Sequence, residues 1–263
     1  MLELYHHGSS VCAAKVRLAL FEKEIEWTSR YVDILAGEQF DPAYLKINPR
    51  AAVPAIRHDG AVLTESTVIC EYLDDAFAGR RRKPCAPLSQ AQMRIWTKLV
   101  DEEIHPATRP LTYVVTHRHA ILARGEPAVE DHIASDPDPA WRERKRRWIR
   151  DGFDAPDVAL ALRTFVRLLE RMDCALEGSE WLVGDGYTLA DGALTPYANR
   201  LEMLGLSELW QDRPNFDRWF AAVKERPSFA PALFDYLPGE LRARMLADGQ
   251  AALPQVRQAL LGL

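Results

Sequence analysis

Two helix beginnings in this chain place hydroxyl groups where they can act on a negative charge. The first is Gly8-Ser9-Ser10-Val11-Cys12, between a strand-like run (Leu2-Glu3-Leu4-Tyr5-His6) and a helical one. A helix start exposes unpaired N–H groups and the positive end of the macrodipole, so an anion is favoured there. A thiol seated at such a point is more acidic than its usual pKa of about 8.5. A hydroxyl donating to the sulfur lowers that value further, each unit corresponding to about 1.4 kcal/mol. Ser9 and Ser10 are both candidate donors here, and Cys12 can form mixed disulfides. As an N-cap, Ser10 would use its oxygen as an acceptor and keep its proton to donate, so the two roles are compatible.

The second beginning closes the stretch from Asn48 to Tyr72. Asn48-Pro49-Arg50-Ala51-Ala52-Val53-Pro54 reads as a loop ending on a proline. Asp59-Gly60, between Ala55-Ile56-Arg57 and Ala61-Val62-Leu63, is a hairpin signal, because a primed two-residue turn needs positive φ. Glu65 and Ser66 then open a segment whose Val68, Ile69, Tyr72, Leu73 and Phe77 recur at helical spacing. Taken alone, Pro54 can begin an edge strand and Glu65-Ser66 can merely cap a helix.

The elements around these residues follow from pattern. Leu2–His6 is a strand, Val11–Lys23 a helix, Trp27–Val32 a second strand, and Asp41-Pro42 starts a short helix with proline near its first turn. With the hairpin and the helix after Glu65, the order is βαβ-α-ββα, which implies a mixed sheet covered by helices. The expected division is 1–79, an α/β domain; 80–89, a linker; and 90–263, all helical. The run Gly79-Arg80-Arg81-Arg82-Lys83-Pro84-Cys85-Ala86-Pro87 reads as a solvated connector, with a basic binding patch as the other reading. From Gln90, Met93, Trp96, Leu99, Val100 and Ile104 share one face. A polar insertion near 114–156 carries Pro127, Pro137, Pro139 and Pro156 around an Arg-rich run; such insertions are often lids or binding loops, and a solvated, partly helical excursion is the equal alternative. After a helix following Asp157, Gly178 is placed as a terminator. Thr188 and Asp191 have capping-box spacing, which makes Asp191 structural.

The bulk properties bound the class. The 263 residues suffice for one or two domains, and 48% hydrophobic with 27% charged residues is ordinary globular composition. A net charge of −5 argues against general nucleic-acid binding. The beginning, Met1-Leu2-Glu3-Leu4-Tyr5, lacks an export signal, and no run is long enough to span a membrane. Cys12, Cys70, Cys85 and Cys174 show no ligand spacing, which argues for a reducing, cytoplasmic setting and against a metal.

Together, the Val-Pro, Glu-Ser and Thr-x-x-Asp motifs resemble those of cytosolic glutathione transferases, and the resemblance touches both halves of the chain. It implies a thioredoxin-like α/β amino-terminal domain, an all-α carboxy-terminal domain, and glutathione as co-substrate. Aligning Ala13-Ala14-Lys15-Val16-Arg17 with the zeta class puts Ser10 at the catalytic serine and Cys12 at a cysteine of that class. By position, Val53 would pair its backbone with the cysteinyl unit, held by a cis Pro54. Glu65 would bind the α-ammonium and Ser66 the α-carboxylate. Gln39 falls where theta and phi relatives carry a histidine for the glycyl carboxylate; an exposed loop glutamine is the other reading. Ala52 departs from the Gln or Lys usual before Val-Pro, removing a contact worth about 1 kcal/mol.

Lys46-Ile47-Asn48-Pro49-Arg50, Thr64 to Leu73 and Met93 to Glu102 look like bacterial glutathione-dependent β-etherases, whereas the catalytic turn is nearer the zeta class. The implied reaction is attack of glutathione thiolate on a carbon bearing an aryloxy group. The alternatives are a zeta-type cis-trans isomerase and a non-catalytic binding or interaction module of the same fold. Partners are glutathione and a small hydrophobic or aromatic electrophile, with no nucleic acid or membrane. Family members usually dimerise, and the helix from Gln90 would supply much of that interface. Trp96, Val100, Ile104 and Tyr113 either line the electrophile pocket or belong to the core.

Overall fold

Alternation in the first strand sets the sheet. Leu2 and Leu4 join one core with Val16 and Leu20 from the first helix, while Glu3 and Tyr5 point to the opposite face, as the two-residue period of a strand requires. The computed structural model describes residues 1–261. Its strands β1 (Leu2–His6), β2 (Thr28–Tyr31), β3 (Ala55–His58) and β4 (Ala61–Thr64) lie in the order β2-β1-β3-β4. β2 runs parallel to β1, with His6 opposite Tyr31. β3 runs antiparallel to β1, with Tyr5 opposite Ala55, and β4 antiparallel to β3, with Ala55 opposite Thr64. The hairpin turns at Asp59 and Gly60 with φ of +49° and +88°, the two positive values of a primed turn.

Helices α1 (Val11–Glu22) and α3 (Ser66–Ala76) cover the apolar face, where Ile69 and Leu73 are fully buried. On the other face the short α2 (Pro42–Leu45) brings the Tyr44 ring within 6.1 Å of Tyr5. Val68, expected on the buried side of α3, is 54% exposed.

The connector departs from expectation. Arg82 and Lys83 are buried rather than solvated. Their backbone N–H groups donate to the Asp74 carboxylate at 2.7 and 3.0 Å, and the Arg82 guanidinium lies 2.5 Å from Glu22. The cations of this run are therefore drawn onto carboxylates of the first domain, which composition alone does not reveal.

All later elements are helical: α4 (Pro87–Leu99), α5 (His105–Thr112), α6 (Arg118–Leu122), α7 (Glu126–Ala134), α8 (Pro139–Arg150), α9 (Pro156–Ala175), α10 (Leu189–Met203), α11 (Pro214–Lys224), α12 (Phe229–Leu233) and α13 (Gly239–Leu261). α4 starts at Pro87, earlier than Gln90, because proline suits a first helical turn. The insertion folds as α6, α7 and α8 around its own small core of Ile121, Val129, Ile133 and Ile149. The centre of the helical half is α10, headed by the Thr188–Asp191 capping box. Asp191, fully buried, accepts from Thr188 N at 2.8 Å, Leu182 N at 3.1 Å and Trp219 Nε1 at 2.9 Å. No helix among the described residues is long and apolar enough to cross a membrane.

Candidate active site

The strand register brings most of the sequence-predicted residues to one end of the sheet. β1 ends at His6 and leads into Ser9 and Ser10. Because β3 is antiparallel to β1, its first residue, Ala55, sits beside Tyr5, so Val53 and Pro54 lie at that same end. Thr64, the last residue of β4, pairs with Ala55 and delivers Glu65 and Ser66 there as well. The segment leaving β2 begins at this end too, since Val32 N donates to His6 O at 2.9 Å. It reaches Gln39 in a single turn, Glu38–Phe40, whose side-chain Oε1 is buried without a hydrogen-bond partner among the described residues. No contact joins Gln39 to Ser10.

Hydrogen bonding separates the two serines. His7 Nδ1 accepts from Ser9 N at 3.1 Å, and the Ser9 hydroxyl, 2.9 Å from the same nitrogen, has an acceptor within reach. Ser10 caps α1: its Oγ accepts from Ala13 N at 3.2 Å, and its own hydrogen has no acceptor among the described residues. The turn is also held from the helical half, where Arg200 Nη2 donates to Ser9 O at 2.6 Å. Burial lowers the Arg200 pKa to about 10.

Across the sheet end, the Val53–Pro54 bond is cis. The preceding Ala52 carbonyl accepts from Tyr44 Oη at 2.6 Å and Asn48 Nδ2 at 2.7 Å. Two side chains thus fix the peptide that presents Val53, at the position where a side-chain contact is missing. Glu65 takes φ of +67°, an unfavourable value for a residue with a side chain, and is the kind of backbone strain found at ligand sites. Its carboxylate pairs with Arg50 at the surface, so a bound cation would share it. Ser66, the first residue of α3, is buried.

The partners of Cys12 at this end were not read from the sequence. Cys12 Sγ lies 3.4 Å from His105 Nδ1 and 3.7 Å from Tyr197 Oη. Burial alone would raise the Cys12 thiol, but the His105 ring, Lys15 and the Tyr197 hydroxyl together bring it down to about 6. His105, Arg109 and Tyr113 follow at intervals of four, one helical face. That spacing was the available signal, obscured by Pro106 and Pro110. Wide turns flank α5: His105 N donates to Val100 O and Arg118 N to Tyr113 O, each five residues back. Such turns recur at functional sites. Of the residues left open between pocket and core, Trp96, Val100 and Ile104 are core, at most 6% exposed, whereas Tyr113 is half-buried. Among the described residues, no group of three or more His, Cys, Asp or Glu could hold a metal ion.

Comparison with known proteins agrees with this architecture. Residues 9–76 match the glutathione S-transferase N-terminal domain and residues 127–227 the C-terminal domain. Protein LigF of Sphingobium sp. strain SYK-6 is 32% identical over 86% of this chain and 91% of its own. The crystal structure of that beta-etherase superposes with a TM-score of 0.78, covering 88% of this chain and 98% of LigF. Glutathione S-transferase TCHQD of Arabidopsis thaliana is 30% identical over 90% and 91%. A maleylacetoacetate isomerase of Methylobacterium extorquens AM1, solved with malonate and glutathione, is 25% identical, with a TM-score of 0.64 over 90% and 98%. The fold, the two matched domains and the extent of these likenesses place the chain in the glutathione S-transferase family, as a glutathione-dependent enzyme.

Proposed function

We propose that Ser10 donates its hydroxyl hydrogen to the sulfur of bound glutathione, and that the thiolate attacks an electrophilic carbon bearing an aryloxy group. A C–S bond forms, the C–O bond breaks with its electron pair leaving on oxygen, and the aryloxide takes a proton to give a phenol. The observation that carries this is the difference between the serines: the Ser9 hydroxyl has His7 Nδ1 within hydrogen-bond reach, while Ser10, at the start of α1, has no acceptor for its hydrogen among the described residues. There the helix N-terminus favours the same anion. Val53 and Pro54 would align the cysteinyl unit, Glu65 and Ser66 the γ-glutamyl end, and Gln39 the glycyl carboxylate. Pre-alignment of the two reactants supplies most of the acceleration.

The β-aryl ether assignment leans on the likeness to LigF. The reading includes a cytoplasmic dimer that uses α4, acts without a metal and binds neither nucleic acid nor membrane. Incubation with glutathione and a β-aryl ether, followed by chromatography, is expected to yield the phenol and the glutathione thioether together. Turnover of a cis-diacid to its trans isomer with no phenol from any ether would replace the etherase reading by the isomerase one. Glutathione binding without turnover of either would favour a binding module.

A further inference from the structure

One exposed cation of the helical half, close enough to Cys12 to feel its charge, has no carboxylate paired with it among the described residues. The Arg109 side chain, on α5, makes no hydrogen bond and no ion pair among the described residues, and it differs from the other unpaired arginines in lying near Cys12. Its guanidinium lies over the ring of Trp141, 4.2 Å from the centroid, and Arg144 approaches the same ring at 5.0 Å. The nearby acid, Asp136, is engaged by Lys145 at 2.9 Å. Arg109 remains exposed to solvent, yet enough protein surrounds its head group to lower its pKa.

Its place on the helix ties it to the chemistry. His105, one turn earlier, touches Cys12 at the start of α1, and a turn advances about 5.4 Å. Arg109 therefore stands about one turn beyond the residue that contacts Cys12, two positions past Ser10 in the first turn of α1. A guanidinium stacked on an indole is held flat, with its edge N–H groups free to form a fork with two oxygens.

We propose that Arg109, braced by Trp141, binds an ionised oxygen carried by the electrophile, so that the enzyme selects aryl electrophiles bearing a carboxylate over neutral ones. This rests on the transfer reaction proposed above and adds the class of its second substrate. Trp141 comes from the insertion, which acts here as the brace of a specificity pocket.

The test compares a chloronitrobenzoate with the matching chloronitrobenzamide, glutathione displacing chloride from each. Wild-type enzyme is expected to favour the acid in kcat/KM by about tenfold or more, the scale of a charge-assisted hydrogen bond. Arg109→Ala is expected to abolish that preference by losing rate on the acid alone, and Arg109→Lys to keep part of it. A second readout needs no turnover: quenching of tryptophan fluorescence by nitrobenzoate, against nitrobenzamide, gives Kd for an unreactive acid. Tighter binding of the acid that Arg109→Ala removes supports the proposal even if neither chloride reacts, since the transfer reading is tested separately with the β-aryl ether. Equal handling of acid and amide by wild-type enzyme, or a preference that survives in Arg109→Ala, overturns it.

Discussion

The choice between two adjacent hydroxyls turns on where one hydrogen points. Ser9 and Ser10 are chemically alike, but the first has His7 Nδ1 within hydrogen-bond reach and the second has no acceptor for its hydrogen among the described residues. Ser10→Ala is therefore expected to raise the pKa of enzyme-bound glutathione, read by ultraviolet titration, and to cut kcat/KM, whereas Ser9→Ala leaves that midpoint in place. The lost cap also costs about 1 kcal/mol of stability, measured by urea unfolding. Two positions on, the Cys12 thiol is held near 6. Its alkylation by iodoacetamide is expected to reach half its maximal rate close to that pH. His105→Gln removes the strongest stabilising partner of the thiolate, and the midpoint should climb towards the free-thiol value. An unmoved midpoint would show that His105 does not set it.

Elements decide which of these residues meet. The hairpin, the helix beginnings at Ser10 and Ser66 and the capping box at Thr188 were legible because each depends on local chemistry: positive φ at Asp59-Gly60, or a hydroxyl beside unpaired N–H groups. The face of His105 and Arg109 was not, since Pro106 and Pro110 argue against a continuous helix and only the wide turns around α5 accommodate them. Nor was the fixing of Arg82 and Lys83 by Asp74, which depends on a partner eight or nine residues away across a fold. Asp191 shows how much one such anchor carries. Asp191→Ala would leave the N–H groups of Leu182, Thr188 and Trp219 buried without an acceptor, at about 1–3 kcal/mol each. A fall in unfolding free energy of about 3 kcal/mol or more is expected, or failure to accumulate in folded form; a loss below about 1 kcal/mol would refute the anchoring role.

Across the whole molecule, the two halves are joined by polar clamps as well as by apolar surface. Glu22, from α1, meets Arg226 at 2.6 Å and Arg82 at 2.5 Å. Burial opposes its charge, but hydrogen bonds from Arg226 and Ser228 and the charge of Arg82 prevail and lower its pKa. A carboxylate more acidic in the folded state adds stability above its ordinary value of 4.5, and that stability fades as pH falls through the depressed folded value. Glu22→Gln should therefore lower the thermal midpoint at neutral pH and flatten its decline below pH 4.5, as calorimetry would record. The bond from Arg200 to the Ser9 carbonyl has a different reach. It makes the geometry of the loop bearing Ser9 and Ser10 a joint product of two segments of the chain, so recombination between distant relatives at the connector would unite a loop with a foreign buttress. Chimeras lacking arginine at the position of Arg200 should still take up glutathione through the contacts proposed for Val53 and Glu65 while ionising it poorly, so the ancestry of this enzyme is best traced with both segments kept together.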